Sequence, residues 1–381
     1  MRNEASRFTL DGSDALEARL QHTCELVLAG VQALIPTNRL DGLLLGGGYG
    51  RGEGGVLRTP DGDSPYNDLE FYVFVRGHAV LAERRFRHAL HELGEKLSPA
   101  AGLEVEFKVL TLDKLRKSPP SMFYYDLVMG HRWCLGDDTL LPNCEQHRDA
   151  SRIPLHEATR LLMNRCSGLL FALARLTGPA FTAGDADFVG RNLAKAQLAF
   201  GDVLLAAQGR YHWSCRERQQ RLEQLDFSPL PWAAPLKIHH AAGVEFKLHP
   251  TRSTETQTAL AARHQELSTL GNQLWLWLEG KRLGRSFASA REYGVSGVNK
   301  CPETPPWRSR LVNLRAFGAG GLACGRYPRE RLLQALPLLL WERNTLTDPV
   351  LLGMIQSGLR TPATDLAGLV AAYGRIWERF N

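Results

Sequence analysis

Residues 43–74 read LLLGGGYGRGEGGVLRTPDGDSPYNDLEFYVF. A short apolar run enters a glycine-rich turn, and after a polar loop an alternating segment opens with Asp68 and Glu70. Glycine is needed where backbone amides approach a ligand closely, because a Cβ would block the approach. Side chains repeat every two residues along a strand, so the two acids project from one face about 6 to 7 Å apart. Carboxylates at that spacing can hold divalent cations, which predicts phosphoryl or nucleotidyl transfer.

The order of these residues also resembles a known pair of motifs. Gly47-Gly48-Tyr49-Gly50-Arg51-Gly52-Glu53, followed by Asn67-Asp68-Leu69-Glu70-Phe71, resembles the signature of the polymerase-β-like nucleotidyltransferase superfamily. The usual form is Gly-Ser, an aromatic, a small residue and Arg-Gly, then Ser-Asp-hydrophobic-Asp. Gly48 stands where most members have a serine, and the loop over residues 57–65 is longer than most members have. The resemblance covers residues 1–150 and identifies no subfamily.

The resemblance implies an α+β fold in two domains. Residues 1–150 would form the nucleotidyltransferase catalytic domain, with a mixed sheet and helices on one side. Residues 151–381 would form a mainly α-helical domain, with an irregular connection around residues 284–328 where glycine and proline are frequent. Alternation predicts strands from Asp68 and over residues 103–110, and helical spacing predicts helices that include residues 79–97 and 155–176. Asp14 and Glu17 have the spacing of a helix N-terminal box.

The resemblance also implies a set of catalytic acids. Asp68 and Glu70 would bind two Mg²⁺ ions, or Mn²⁺, and a third carboxylate on a neighbouring strand would complete the metal site. Glu104 and Glu106 both qualify, because they share the polar face of the strand over residues 103–110. The Leu-Glu-Val run favours Glu104, whereas the distance to Thr111-Leu112-Asp113 favours Glu106, which is slightly preferred.

Five residues are expected to bind the nucleotide. The backbone of Gly47 and Gly48 would hold phosphates, and Tyr49 belongs to the same motif. Arg51 would contact phosphate or else form a salt bridge with Glu53. Related enzymes often neutralise triphosphate charge with a basic residue of the second domain, and Lys195 is the residue expected here.

The activity implied is transfer of a nucleoside monophosphate, usually AMP from ATP, to a hydroxyl of a small molecule. Alternatives are a template-independent nucleotidyltransferase acting on RNA ends or on protein, and a nucleotide-binding module without turnover. A P-loop is excluded because no Gly-Lys-Ser/Thr follows the glycines. A dinucleotide fold would need a helix between the glycines and the next strand, but that interval contains two prolines.

Composition bounds these expectations. The chain has 381 residues, 44% of them hydrophobic and 23% charged, which is typical of a globular protein. The net charge of +6 suits an acidic ligand, but the basic residues form no block and no aromatic platform, so nucleic acid ranks below a small molecule. Seven scattered cysteines support neither a zinc site nor a disulfide framework. No membrane span or signal peptide is predicted, and a cytoplasmic location is expected.

Overall fold

The computed structural model of the chain describes residues 7–321 and 325–381, so Cys324 lies outside the described residues. It is an α+β structure with a small mixed sheet. The chain divides into two compact units. The first comprises residues up to Pro154 together with Gln208–Leu225 and Val244–Thr251, and the second comprises Leu155–Ala207, Asp226–Gly243 and Arg252–Asn381.

The first 150 residues contain both strands and helices. In chain order they are α1 (Asp14–Leu34), β1 (Leu40–Leu45), α2 (Gly47–Gly50), β2 (Gly55–Thr59), β3 (Gly62–Tyr66), β4 (Asp68–Val75), α3 (Ala79–Ala101), β5 (Glu104–Leu110), α4 (Leu112–Lys117), α5 (Met122–Met129) and β6 (Arg132–Leu135). The later elements are α6 (Leu155–Leu176), α7 (Ala183–Ala207), α8 (Cys215–Glu223), α9 (Leu236–Leu248), α10 (Gln257–Leu283), α11 (Ala290–Val295), α12 (Pro306–Phe317), α13 (Arg329–Trp341), α14 (Pro349–Leu359) and α15 (Leu366–Phe380).

The first unit differs from the predicted range of 1–150 because two later segments belong to it. Buried Glu53 accepts hydrogen bonds from Ser214 Oγ (2.5 Å) and from the backbone amide of Cys215 (2.9 Å). The ring of Tyr66 meets the ring of Phe246 edge to face, with 6.2 Å between centroids. The partners of the Glu53 hydrogen bonds are 161 and 162 residues apart in sequence, so no local sequence pattern predicts these contacts.

The four-stranded sheet has the order β5-β4-β1-β6. β4 and β5 are parallel, whereas β1 is antiparallel to both β4 and β6. β2 and β3 form a separate hairpin. The predicted loop over residues 57–65 is therefore wrong, because most of it is paired strand. Pro65 is tolerated there because in a two-stranded ribbon each strand is an edge, and an edge strand can leave one amide position unpaired.

β4 packs apolar side chains into a core on each of its faces. Leu69, Phe71 and Val73 belong to a core with residues of α1 and α3. Tyr72 and Phe74 belong to a second core on the opposite face. This second core includes Leu115 of α4 and Leu127 of α5, so the prediction of helices on one side only is wrong. Apolar side chains on both faces of a strand require cover on both.

The N-terminus of α1 is capped one residue earlier than predicted. Ser13, not Asp14, is the N-cap, and its side chain accepts from the amide of Leu16. The carboxylate of Glu17 instead accepts from the amides of Phe8 (2.7 Å) and Thr9 (3.0 Å). Glu17 therefore fixes the preceding segment rather than closing a capping box.

The described part of the second unit is built from helices. α6, α7 and α10 pack on one another, and α13 packs against α6, α11, α14 and α15. The predicted irregular connection over residues 284–328 contains α11 and α12, so that expectation is wrong in part. α11 is fixed by buried Tyr293, whose hydroxyl donates to Glu279 at 2.7 Å. Every helix in the described residues is too short or too polar to cross a bilayer.

Candidate metal and phosphate site

Three carboxylates converge on one face of the sheet in the first unit. Asp68 and Glu70 lie on β4, and Glu106 lies beside Glu70 on the parallel strand β5. Each residue offers one oxygen, and these oxygens lie within 4.8 Å of one another. We call these three residues the acidic triad. Alternation along two paired strands is sufficient to bring them together.

Glu104, the other candidate for the third carboxylate, lies outside the acidic triad. It pairs in register with Asp68, but its side chain is exposed at the start of β5. The geometry therefore favours Glu106 as the third carboxylate.

Burial and neighbouring negative charges shift the pKa values of two residues of the acidic triad. Burial and then the charge of Glu70 raise the pKa of Asp68 above its ordinary value. Burial and then the charge of Asp68 raise the pKa of Glu106 in the same way. A cation between such carboxylates would relieve the repulsion that their charged forms feel.

One positive charge already lies at the acidic triad. Lys108 Nζ is 3.2 Å from Glu70 Oε1, and the hydroxyl of Tyr72 donates to Glu70 Oε2 at 3.1 Å. The Lys108 ammonium also lies 5.6 Å from the centre of the Tyr72 ring. Both oxygens of Glu70 thus have partners within the protein.

The glycine turn lies on the same side of the sheet as the acidic triad. Gly47 has a φ of +61°, and a Cβ there would lie 3.2 Å from Glu70 Oε2. A Cβ on Gly50 would collide with the carbonyl oxygen of Leu45. The amides of Gly47 and Gly48 belong to the first turn of α2, where an amide has no acceptor within the helix. Such amides can donate hydrogen bonds to phosphate oxygens.

Sequence reasoning missed a lysine at this turn. A Cβ on Gly48 would lie 3.3 Å from Nζ of Lys247, so the ammonium lies against the glycine backbone. Burial and then the charge of Arg51 lower the pKa of Lys247. Lys247 follows the turn by about 200 residues, and the sequence carries no signal that distinguishes it from other lysines.

Lys195, the lysine that the resemblance suggested, is exposed on α7 in the second unit. Its role in nucleotide binding stays a prediction.

The side chain of Tyr49 is buried and holds the glycine turn in place through hydrogen bonds. Its side chain is 2% exposed, its hydroxyl donates to the carbonyl of Gly55 at 2.9 Å, and the amide of Tyr66 donates to it at 2.7 Å. These bonds tie the turn to the β2–β3 hairpin. The assignment of Tyr49 to nucleotide binding stays a prediction.

Arg51 also has a structural partner. Its guanidinium lies 3.0 Å from the carboxylate of Asp126 on α5, and its side chain is only 12% exposed. The predicted alternatives were a phosphate contact or a salt bridge with Glu53. Glu53 instead binds Ser214 and Cys215, and although burial opposes them, these hydrogen bonds hold the pKa of Glu53 below its ordinary value.

His249 anchors the segment that carries Lys247. Its Nε2 lies 3.0 Å from Asp11 Oδ1, and its Nδ1 lies 2.8 Å from Glu245 Oε1. Partial burial alone would lower the pKa of His249, but the hydrogen bonds to Asp11 and Glu245 raise it above the ordinary value of 6.5. The protonated imidazole therefore contributes to stability.

This contribution gives the first unit a predicted pH dependence. Because the folded pKa of His249 is raised, its stabilisation is fully present below pH 6.5 and is lost as pH rises through the folded pKa. We expect the free energy of unfolding to fall over that interval, and the fall to shrink in His249→Gln. Urea titrations on both sides of pH 6.5 measure this fall in the free energy of unfolding. His22→Gln, which replaces an exposed histidine, is the control. An unchanged pH profile in His249→Gln would refute the assignment.

The residues predicted from the motif thus fall into two groups. Asp68, Glu70, Glu106, Gly47 and Gly48 meet on one side of the sheet, whereas Tyr49 and Arg51 support the turn from within. Comparison of the chain with protein-family models, with curated proteins and with solved structures gave no match, so the assignment of the site depends on its geometry and on the motif resemblance.

Proposed function

We propose that this chain is a metal-dependent nucleotidyltransferase with a polymerase-β-like core. The observation that carries the proposal is the placement of the acidic triad directly against the glycine turn, with Gly47 next to the Glu70 carboxylate. One side of the site is negative, and the other side offers backbone amides and the ammonium of Lys247. A triphosphate with its metal ion needs both, because the carboxylates would bind the ion and the amides and the ammonium would bind the phosphate oxygens.

The acidic triad fits a hard divalent cation. Mg²⁺ takes oxygen ligands and is usually bound by one or two carboxylates together with phosphate oxygens. Asp68, Glu70 and Glu106 supply three carboxylates whose oxygens lie within 4.8 Å, so they would hold Mg²⁺ or Mn²⁺. A bound ion would neutralise phosphate charge and lower the pKa of an acceptor hydroxyl.

Residues of the chain would position the phosphates and the attacking hydroxyl. The amides of Gly47 and Gly48 and the ammonium of Lys247 would hold the phosphates. Glu106 would complete the shell of the metal ion or accept the proton of the attacking hydroxyl. Phosphoryl chemistry depends mainly on positioning and charge neutralisation, so a small set of residues is sufficient.

A catalytic role is favoured over a nucleotide-binding module without turnover. Burial, and then the charge of a neighbouring acid, raises the pKa of Asp68 and of Glu106. Such an arrangement costs free energy unless a cation uses it, and perturbed acids of this kind concentrate at functional sites. We propose ATP as the donor, a hydroxyl of a small molecule as the acceptor and the cytoplasm as the location.

The experiment is to incubate the protein with each labelled nucleoside triphosphate and Mg²⁺, and to follow pyrophosphate. Label is then sought on small molecules, on RNA and on the protein itself. Pyrophosphate release that depends on the divalent cation supports the proposal. Label on RNA alone would replace the small-molecule acceptor by an RNA end, and nucleotide binding without release would leave only the binding module.

A further inference from the structure

Lys108 extends from the same strand and the same face as Glu106. The two residues are separated by one position on β5, and Lys108 pairs in register with Tyr72 on β4. Its ammonium reaches diagonally to Glu70, the nearest acid on β4, at 3.2 Å. Diagonal neighbours on paired strands are within reach of long side chains, so the register itself supplies this contact.

The ion pair with Lys108 distinguishes Glu70 from the other two members of the acidic triad. Glu70 already has a full positive charge at one oxygen and the Tyr72 hydroxyl at the other. Asp68 and Glu106 are the two members without a comparable ion pair in the described residues, and each feels the charge of a neighbouring acid. Three carboxylates and one ammonium carry a net charge of about −2, which a single divalent cation balances.

We propose that Lys108 is a positioning residue that acts as a built-in cation for Glu70, so that the protein alone binds one divalent cation, held mainly by Asp68 and Glu106. A second ion would enter only with the triphosphate, whose oxygens supply the additional negative charge. This inference rests on the proposed function for the identity of the metal site. It goes further by assigning Lys108 a role in how the acidic triad binds its first ion.

The position of Lys108 has a consequence for any second ion. An ammonium next to a Glu70 oxygen and a divalent cation on that oxygen repel each other at short distance. Arrival of a triphosphate would offer the ammonium new oxygen partners and release Glu70 for the second ion. Metal and nucleotide would then strengthen each other's binding, and by linkage the effect is reciprocal.

The test is a titration with Mn²⁺ alone, followed by the electron paramagnetic resonance signal of free Mn²⁺. We expect one bound ion per chain in the native protein. In Lys108→Met we expect a second bound ion, or an affinity about tenfold higher, because a unit charge a few ångströms from a divalent ion has been removed. Lys117→Met is the matched control, since Lys117 also pairs with a carboxylate, that of Asp113, but on α4 outside the acidic triad.

Two ions of similar affinity in the native protein, no bound ion, or identical titrations for the native protein and Lys108→Met would each overturn the inference. Pyrophosphate release is measured separately on the native protein. If the titrations behave as expected and no pyrophosphate is released, the proposed function fails while the assignment of Lys108 stands. If pyrophosphate is released and Lys108→Met titrates like the native protein, the inference alone fails.

Discussion

Asp68→Asn will lower pyrophosphate release by more than about 100-fold, because loss of a metal ligand exceeds the roughly 10- to 100-fold cost of losing a residue that only supports one. Asp68 is the member of the acidic triad that opens β4, and its carboxylate is crowded by Glu70. The substitution keeps the size of the side chain and removes its charge. Initial rates at saturating nucleotide and Mg²⁺ give the comparison.

Folding of Asp68→Asn is expected to be intact, since removing one of several repelling charges relieves strain in the fold. Its unfolding transition should therefore match or exceed that of the native protein. Asp113→Asn is the control, because it makes the same change of charge at an exposed carboxylate of α4. Native rates in Asp68→Asn would remove Asp68 from the catalytic machinery.

Lys247→Met will raise the KM for the nucleoside triphosphate by about 10- to 100-fold with a smaller effect on kcat. A hydrogen bond to a charged group contributes about 1.5–3 kcal/mol. The Lys247 ammonium lies against the backbone of Gly48, which we propose holds a phosphate. The loss should also weaken the dependence of KM on salt concentration. Initial rates over a range of nucleotide and salt concentrations measure both effects.

The fold should tolerate Lys247→Met. Burial and Arg51 both lower the pKa of Lys247, so its charge is held in the native state at a cost. Removal of an exposed lysine of the same unit, in Lys114→Met, supplies the control for overall charge. If both variants show the same KM, the phosphate contact of Lys247 is refuted.

The strands and the acidic triad could be predicted because their signals are local. Period-two alternation places Asp68 and Glu70 on one face of β4 and Glu106 on the matching face of β5. The same rule could not separate Glu104 from Glu106, since both obey the alternation. Only the register of the paired strands puts Glu106 beside Glu70 and leaves Glu104 at the exposed start of β5.

The residues around the glycine turn show where sequence reasoning ends. A motif gives the order of Tyr49 and Arg51, but not the direction of their side chains. The structure turns both inward, Tyr49 to the hairpin and Arg51 to Asp126. Lys247 could not be found, because its proximity to Gly48 depends on tertiary packing of a segment far along the chain.

The hairpin and the cap of α1 were missed for a different reason. Asp61-Gly62 is a turn signal between two short strands, but Pro60 and Pro65 made the segment look like a loop. Ser13 and Asp14 are both good N-cap residues, and the choice between them depends on Glu17, which is engaged by Phe8 and Thr9. The choice between two neighbouring N-cap residues depends on tertiary contacts, which cannot be read from the sequence.

The most direct test of the central claim is the difference in Mn²⁺ affinity between Glu106→Gln and Glu104→Gln. The two acids are separated by one residue on the same face of β5, and only Glu106 belongs to the acidic triad. We expect Glu106→Gln to weaken Mn²⁺ binding at least about tenfold, as loss of a metal ligand should, and Glu104→Gln to bind like the native protein. Equal affinities in the two variants, or a larger loss in Glu104→Gln, would contradict the account.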